Sequence, residues 1–362
     1  MKRVANDVIT ANQFMFIMIG SIIGIGALSL PNDVIKDAKQ SGWMSAFLGA
    51  VYPLYIVIAA GYIQKKSPNK NILFVNKKCY GKVIGNILNI FLFLFFLLII
   101  TSEINGLSNI IRTAIVGFLT PLKVYIAITF LGAYTAYKGL KVIGRANETV
   151  FYLSIIMISL AIWALFKGKI SNVTPMFGSS ILNIVKASKE SAYQYIGMEM
   201  YLLIYPYVSE NKDLKKLALK GIFIIALIYT WITFITIYAL GIDIIPRVTA
   251  SFLLTEKYIE VPFINNFRFI FIVLWSLMVF VLISNYYYAE IHILHNLFPK
   301  ISENKFCFII YPFIVFLSIK YVNFEIRKNF LSYIIPKVTA AMVFYILITV
   351  ILIYIKGGNR LE

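Results

Sequence analysis

The chain has 362 residues, of which 60% are hydrophobic and 14% are charged, and its mean hydropathy is +0.81. This composition excludes an ordinary soluble domain and indicates a polytopic membrane protein. The formal net charge of +18 indicates loop topology and contact with anionic membrane lipid, and no nucleic-acid-binding pattern accompanies it.

Apolar runs long enough to cross a membrane recur along the whole sequence. A transmembrane helix needs about 20 mostly apolar residues, and on that basis we predict ten spans. Their ends are defined to within several residues. We therefore predict an all-α membrane protein that forms one integral domain over residues 1–362. The spans cover residues 11–35, 43–63, 84–111, 122–137, 148–165, 184–208, 221–240, 267–289, 306–320 and 333–355.

The distribution of basic residues predicts the orientation. Ten spans place both termini on one side of the membrane, and basic residues concentrate in cytoplasmic loops. The loop between the second and third spans carries a cluster of lysines, which predicts that both termini are cytoplasmic. These are Lys65, Lys66, Lys70, Lys77, Lys78 and Lys82.

Three glycines interrupt the first span, in the stretch GSIIGIGALSLP. Glycine inside a helix costs about 1 kcal/mol relative to alanine, so Gly20, Gly24 and Gly26 predict a helix that is broken at mid-membrane. The alternative is close helix packing through Gly20 and Gly24. If the break lies near Gly24, the amides of Ile25, Gly26 and Ala27 begin a second half-helix, and such an end binds anions.

An acidic residue interrupts the third span. Glu103 lies in an apolar run from residue 84 to 111, and a carboxylate at membrane depth is a functional candidate. Glu103 would serve in gating, or it would have a structural role, either paired with Arg112 or facing water.

The sixth span repeats the pattern of the first. Gly197 and Glu199 lie in the middle of an aromatic segment, which predicts a second broken helix. Spans one and six open two halves of five spans, over about residues 11–165 and 184–355. Broken helices at corresponding positions indicate a midplane binding site. Amides of span one would take a carboxylate and carbonyls near Gly197 an ammonium group, so a small zwitterion, such as an amino acid, is the expected ligand.

Two further roles near the second break stay open in the sequence. Glu199 either belongs to the ligand or gating network or holds the broken helix by accepting backbone hydrogen bonds, and we favour the second interpretation. Tyr193 and Tyr195 are candidates for the pocket wall, although aromatic residues are also ordinary membrane packing.

These motifs resemble a known family. GSIIGIGALSLP resembles the first span of the amino acid, polyamine and organocation (APC) transporter superfamily, and YQYIGMEMYLLIYPYVSENKDLKK resembles its sixth span. The segments SGWMSAFLG, GLKVIGRANE and NVTPMF resemble the B subunit of spore germinant receptors. The resemblance implies a LeuT-like fold, a five-plus-five inverted repeat with helices one and six broken. It also implies the spore inner membrane as location, and a larger A subunit and a lipoprotein C subunit as partners.

The resemblance also assigns the site. Gly24, Ile25 and Gly26 match the motif that binds the substrate carboxylate, and Gly197 with its neighbours matches the amine side. Ile25 departs from the small polar residue of many transporters, which removes a side-chain hydroxyl but keeps the backbone amide.

Two functions compete. The first is a ligand-binding receptor subunit, and the alternative is a secondary amino acid transporter of the same superfamily. Ion coupling would need hydroxyl ligands on spans one and eight or a lysine on span five. Span five has no lysine, and Ser276 and Ser284 are the hydroxyl candidates on span eight, which favours the receptor. We predict no enzyme, metal or cofactor, because the sequence has no nucleophile and base pair or phosphate loop, and His292 and His295 lack a third ligand nearby.

Overall fold

The computed structural model describes residues 7–115, 117–209, 213–255 and 267–356. These ranges contain helices and no β-strand; one isolated parallel bridge joins Ile9 to Val208. The helices are α1 (Ala11–Gly20), α2 (Gly26–Ala38), α3 (Gly42–Leu48), α4 (Val51–Lys66), α5 (Ile72–Ala114), α6 (Pro121–Tyr137), α7 (Leu140–Leu160), α8 (Ile181–Tyr193), α9 (Met200–Ile204), α10 (Leu214–Leu240), α11 (Ser251–Thr255), α12 (Phe267–Leu297), α13 (Glu303–Ile319) and α14 (Phe324–Ile355).

Six helical stretches within the described ranges are long and apolar enough to cross a membrane. The protein is therefore an integral membrane protein. The other predicted spans fall on shorter helices, namely α1, α6, α8 with α9, and α13, so the count of ten stays a prediction. The six stretches are Gly26–Lys66, Ile72–Ala114, Leu140–Phe166, Leu214–Leu240, Arg268–Leu297 and Phe324–Ile355.

A short basic helical segment precedes the third span. Helix α5 starts at Ile72 and includes residues that the sequence analysis assigned to a basic loop. A kink at Gly81, with φ of 81°, separates this basic segment from the membrane helix. Asn76 Nδ2 donates to Asn89 Oδ1 at 2.8 Å and ties the two segments together. The predicted start of the third span at residue 84 therefore lies close to the kink, and the basic residues before it form a helix where a loop was expected.

Helix α12 has the central position, packed against α1, α5, α6, α7 and α13. Helix α1 also packs between α7 and α10, while α2 packs against α8. The two halves of the first span therefore share α10 as a neighbour and otherwise pack against different helices. Large apolar side chains on the outer faces, for example Phe308 and Tyr354, are exposed, as expected for surfaces that contact lipid rather than water.

Candidate functional site

The first span is broken between Gly20, where α1 ends, and Gly26, where α2 begins. In this gap the Glu103 carboxylate reaches the backbone, and its Oε2 accepts a hydrogen bond from the Ile25 N–H at 2.7 Å. A Cβ on Gly24 would crowd that carboxylate and would lie 2.9 Å from Leu282 Cδ1. The glycine therefore admits the carboxylate to the start of the second half-helix, where negative charge is favourable.

The sixth span is broken between Tyr193, where α8 ends, and Met200, where α9 begins. Gly197 has a φ of 136°, a conformation that residues with a Cβ rarely adopt. A Cβ there would overlap the Ser21 carbonyl and lie 2.8 Å from the Tyr286 hydroxyl. The two breaks are thus in direct contact through backbone at Gly197 and Ser21.

Glu199 holds the second break from within. Its Oε2 accepts a hydrogen bond from the Gly197 N–H at 2.8 Å, and its Oε1 accepts one from the Tyr52 hydroxyl. The residue is 1% exposed. Both carboxylate oxygens are therefore engaged by groups of the protein.

Two tyrosine hydroxyls donate hydrogen bonds to backbone carbonyls that have lost their helical partners at the breaks. Tyr286, on α12, donates to the Ser21 carbonyl at 2.5 Å. The Tyr229 hydroxyl, on α10, lies 3.2 Å from the Ile22 carbonyl and 3.0 Å from the Gln194 carbonyl. Membrane interiors offer no water to these carbonyls, so such donors are what make the irregular backbone tolerable.

A cavity of about 200 Å³ lies beside the first break. Its walls come from α2, α5, α8, α12 and α14. Asp33 lies at its edge, where it pairs with Lys36 at 2.9 Å and with Lys328 at 3.8 Å. Asp33 lies on α2, in the second half of the first span. The bridge from Ile9 to Val208 lies before α1, at the opposite end of that span.

The predicted site residues divide into two groups. Four line the cavity: Gly24, Gly26, Glu103 and Tyr193. The others surround the breaks without being part of the cavity wall: Ile25, Ala27, Tyr195, Gly197 and Glu199.

The contacts of two of these residues are informative. The Tyr195 hydroxyl donates to the Ala46 carbonyl at 2.8 Å. Glu103 does not pair with Arg112, one of the alternatives in the sequence analysis, because Arg112 Nε donates to the Leu119 carbonyl at 2.7 Å.

Among the polar residues of the cavity wall that the sequence did not single out are Gln194, Tyr286 and Arg327. Arg327 lies in the first turn of α14, which begins before the predicted tenth span at residues 333–355. The signal was present at Asn323, whose side chain accepts a hydrogen bond from the Ile326 N–H at 2.9 Å. Asparagine is a preferred N-cap residue, and its position would have predicted the earlier helix start.

The helices, the two paired breaks and the cavity define the class, a membrane protein with an APC (LeuT-like) transporter fold. The solved structure of MhsT in complex with L-phenylalanine superimposes with a TM-score of 0.59 and covers 86% of this chain and 79% of that chain. The sequences are 14% identical, so this likeness concerns the fold alone. The predicted fold class is confirmed.

The chain belongs to the spore germination protein family, whose sequence profile matches residues 8–326. It is 22% identical to spore germination protein YndE of Bacillus subtilis (strain 168), over 78% of each chain. It is 24% identical to spore germination protein GerQB of Bacillus cereus, over 77% of this chain and 78% of that one. It is also 24% identical to GerLB of Bacillus cereus, over 98% of this chain and 97% of that one. The predicted family resemblance is confirmed.

Proposed function

We propose that this protein is the nutrient-sensing membrane subunit of a spore germinant receptor, and that it binds a small zwitterion, such as an amino acid. The observation that carries the proposal is the cavity of about 200 Å³ beside the broken first span, with the Glu103 carboxylate on the half-helix start. In this proposal the subunit lies in the spore inner membrane with cytoplasmic termini, and an A subunit and a lipoprotein C subunit read its state.

The size and chemistry of the cavity support a small polar ligand. Sites for drug-sized molecules measure about 300–1,000 Å³, so this cavity fits a smaller metabolite. Apolar side chains of Ile22, Ile99 and Leu282 line it together with charged groups, a combination that suits an amino acid with an apolar side chain. The structure of MhsT with L-phenylalanine adds an analogy at the level of the fold.

The contact between the two breaks explains how a bound ligand would change the packing of the broken spans. The cavity wall includes Gly26 of the first span and Gln194 of the sixth, and a Cβ on Gly26 would lie 2.9 Å from Gln194 Cδ. A ligand bound there touches both broken spans at once. It therefore stabilises one packing of the two spans over another by its difference in affinity for them, and partner subunits respond to that shift.

A buried amide network favours sensing over ion-coupled transport. Asn285 Nδ2, on α12, lies 2.9 Å from Ser21 Oγ and 3.3 Å from the Ile17 carbonyl, and Asn147 Nδ2 donates to Asn285 Oδ1 at 2.8 Å. These donors occupy oxygen atoms of the first span that a coupling cation would need as ligands.

The serines on α12 do not decide between the two functions, because each donates its hydroxyl hydrogen to its own helix and keeps its oxygen lone pairs. The hydroxyl of Ser276 donates to the Ile272 carbonyl at 2.7 Å, and that of Ser284 donates to the Phe280 carbonyl at 2.8 Å. Transport of an amino acid remains the alternative function because the fold is that of a transporter.

Germination and uptake assays distinguish the two functions. Spores that lack this gene are exposed to single amino acids, with spores complemented by the wild-type gene as control, and uptake of the same amino acids is followed in growing cells. We expect loss of germination with one nutrient or a few related nutrients while uptake stays intact. Loss of uptake with unchanged germination would establish the transporter instead.

A further inference from the structure

Two buried side chains of opposite charge line the cavity. Glu103, on α5, is 9% exposed, and Arg327, in the first turn of α14, is 7% exposed. Among the described residues no ion pair within 4.0 Å joins them. Charges removed from water are costly unless they are paired, so two opposite charges that line one cavity without forming an ion pair indicate a group that completes them.

The Arg327 guanidinium has donors to spare. Its Nη1 donates to the Ser102 carbonyl at 3.1 Å, while Nε has no acceptor among the described residues. A Cβ on Gly106 would lie 2.6 Å from Nη1, so this glycine lets the guanidinium lie against α5, one helical turn from Glu103. The Phe324 ring, 5.2 Å from the guanidinium carbon, supports its other side. Guanidinium groups bind carboxylates through parallel hydrogen bonds, which suits an arginine side chain that lines the cavity.

The Glu103 carboxylate already balances the partial positive charge at the start of the second half-helix. Glu103 Oε2 accepts the Ile25 N–H at 2.7 Å, at the place where the sequence analysis expected the carboxylate of the ligand. A second carboxylate there would meet like charge, whereas the remaining lone pairs of Glu103 accept hydrogen bonds from an ammonium group. The polarity of the cavity is therefore opposite to that expectation: its negative pole is at the break and its positive pole on α14.

We propose that the ligand binds with its carboxylate on Arg327 and its ammonium group on Glu103, which makes a free α-amino acid the ligand class. This proposal rests on the proposed function and adds the orientation of the ligand. It also assigns binding residues to spans three and ten, outside the two broken spans. The side chain of the ligand then faces the apolar wall formed by Ile99 and Leu282.

The test is a ligand and protein double-mutant cycle on the full-length chain in lipid nanodiscs. Dissociation constants are measured by calorimetry for each of the 20 standard amino acids. Any amino acid that binds is then compared with its C-terminal amide, which lacks the carboxylate charge, and with the amine-free carboxylic acid of the same skeleton. The variants are Arg327→Gln and Glu103→Gln, and the controls outside the cavity are Arg112→Gln and Glu148→Gln.

Each variant should lose the preference for the amino acid over one analogue, the amide or the amine-free acid, and keep its preference over the other. Truncating one partner of a buried hydrogen-bonded charge pair weakens binding about 30-fold or more. We expect wild-type protein to bind the amide about 30-fold more weakly than the amino acid. We expect Arg327→Gln to bind the amino acid about 30-fold more weakly than wild type does, and to bind the amide as tightly as the amino acid. Glu103→Gln should lose discrimination against the amine-free acid only. The two controls should bind as wild type.

The outcomes separate the two proposals. Wild-type protein that binds none of the amino acids contradicts the proposed function. If an amino acid binds, but Arg327→Gln still rejects its amide, the carboxylate lies elsewhere and the orientation is wrong. The orientation is equally wrong if Glu103→Gln binds the amine-free acid more tightly and stops rejecting the amide, because the carboxylate then belongs on the Ile25 amide.

Arg327→Lys covers the case in which the glutamine variant does not fold. Lysine keeps the positive charge and loses the paired donors of the guanidinium. We expect about tenfold weaker binding of the amino acid, with rejection of the amide retained. Wild-type affinity in this variant would overturn the assignment of Arg327.

Discussion

The two broken spans occupy corresponding places in the sequence, but different groups stabilise them. The first break is held by Glu103, which comes from α5 and lines the cavity. The second is held by Glu199, two residues from the Gly197 amide that it binds, and this carboxylate is buried in the core outside the cavity wall. A ligand in the cavity therefore reaches the group that stabilises the first break and not the one that stabilises the second. The comparison suggests that the first break responds to the ligand while the second serves as its fixed support.

The largest effect is expected at Gly197. Alanine there combines a φ of 136° with overlap of the Ser21 carbonyl, and we expect Gly197→Ala to lose about 3 kcal/mol or more of folding free energy. The measurement is protein abundance in membranes with the apparent melting temperature in detergent. Gly81→Ala is the matched control, because Gly81 has a φ of 81° with no atom near its Cβ position, and it should lose only the backbone strain of about 1–3 kcal/mol. Equal losses would show that the contact between the breaks contributes nothing.

Glu199→Gln should reduce stability without changing ligand selectivity. The amide keeps one acceptor for the Gly197 N–H or the Tyr52 hydroxyl but not the charge that strengthens both bonds. We expect a loss of about 1–3 kcal/mol, measured as a lower melting temperature and lower abundance. Glu103→Gln is the counterpart at the first break, where the effect should appear in ligand recognition. A Glu199→Gln protein with normal abundance and altered sensitivity would place Glu199 in the gating network.

Gly24→Ala should weaken the response to ligand while the protein still inserts. The new Cβ displaces the Glu103 carboxylate from the Ile25 amide and so disturbs the negative pole of the cavity. We expect the amino acid concentration for half-maximal germination to rise about tenfold or more, as for loss of a hydrogen bond to a charged group. Gly221→Ala is the control, since the nearest atom to its Cβ position is 3.5 Å away. A normal response from Gly24→Ala would remove the first break from the site.

Tyr229→Phe should have the smallest effect. Its hydroxyl lies between the Ile22 and Gln194 carbonyls and so links the two breaks. Removing it leaves one hydrogen bond unmade, and we expect a loss of about 1 kcal/mol in stability. The thermal melting of this variant is compared with that of Tyr311→Phe, whose hydroxyl bonds the Ile126 carbonyl at an exposed position. A loss no larger than that of the exposed control would mean that the link between the breaks is weak.

The breaks were predictable because their cause is local. Glycine has a known cost in a helix, so Gly24 and Gly197 were visible in the sequence, and Glu103 stood out as the acid of an apolar run. The partner of that carboxylate was not predictable, because Ile25 is 78 residues away and only helix packing brings the two together. The sequence therefore predicted which residues were unusual but not which of them meet.

Arg327 escaped prediction for a different reason. Hydropathy places a span where residues are apolar, so the polar first turn of α14 counted as a loop. The guanidinium that the proposed ligand orientation uses consequently stayed hidden, and the place of the ligand carboxylate stays a prediction. The inverted five-plus-five repeat over residues 11–165 and 184–355 stays a prediction.

Hydrogen exchange at the two breaks tests the central claim most directly. Full-length protein in nanodiscs is labelled in deuterated buffer with and without an amino acid that triggers germination, and protection is followed by mass spectrometry. We predict added protection in peptides that cover residues 21–28 and 99–106, with residues 197–200, which lie outside the cavity wall, already protected and unchanged. Protection confined to residues 197–200, with the first break unaffected, would contradict the account.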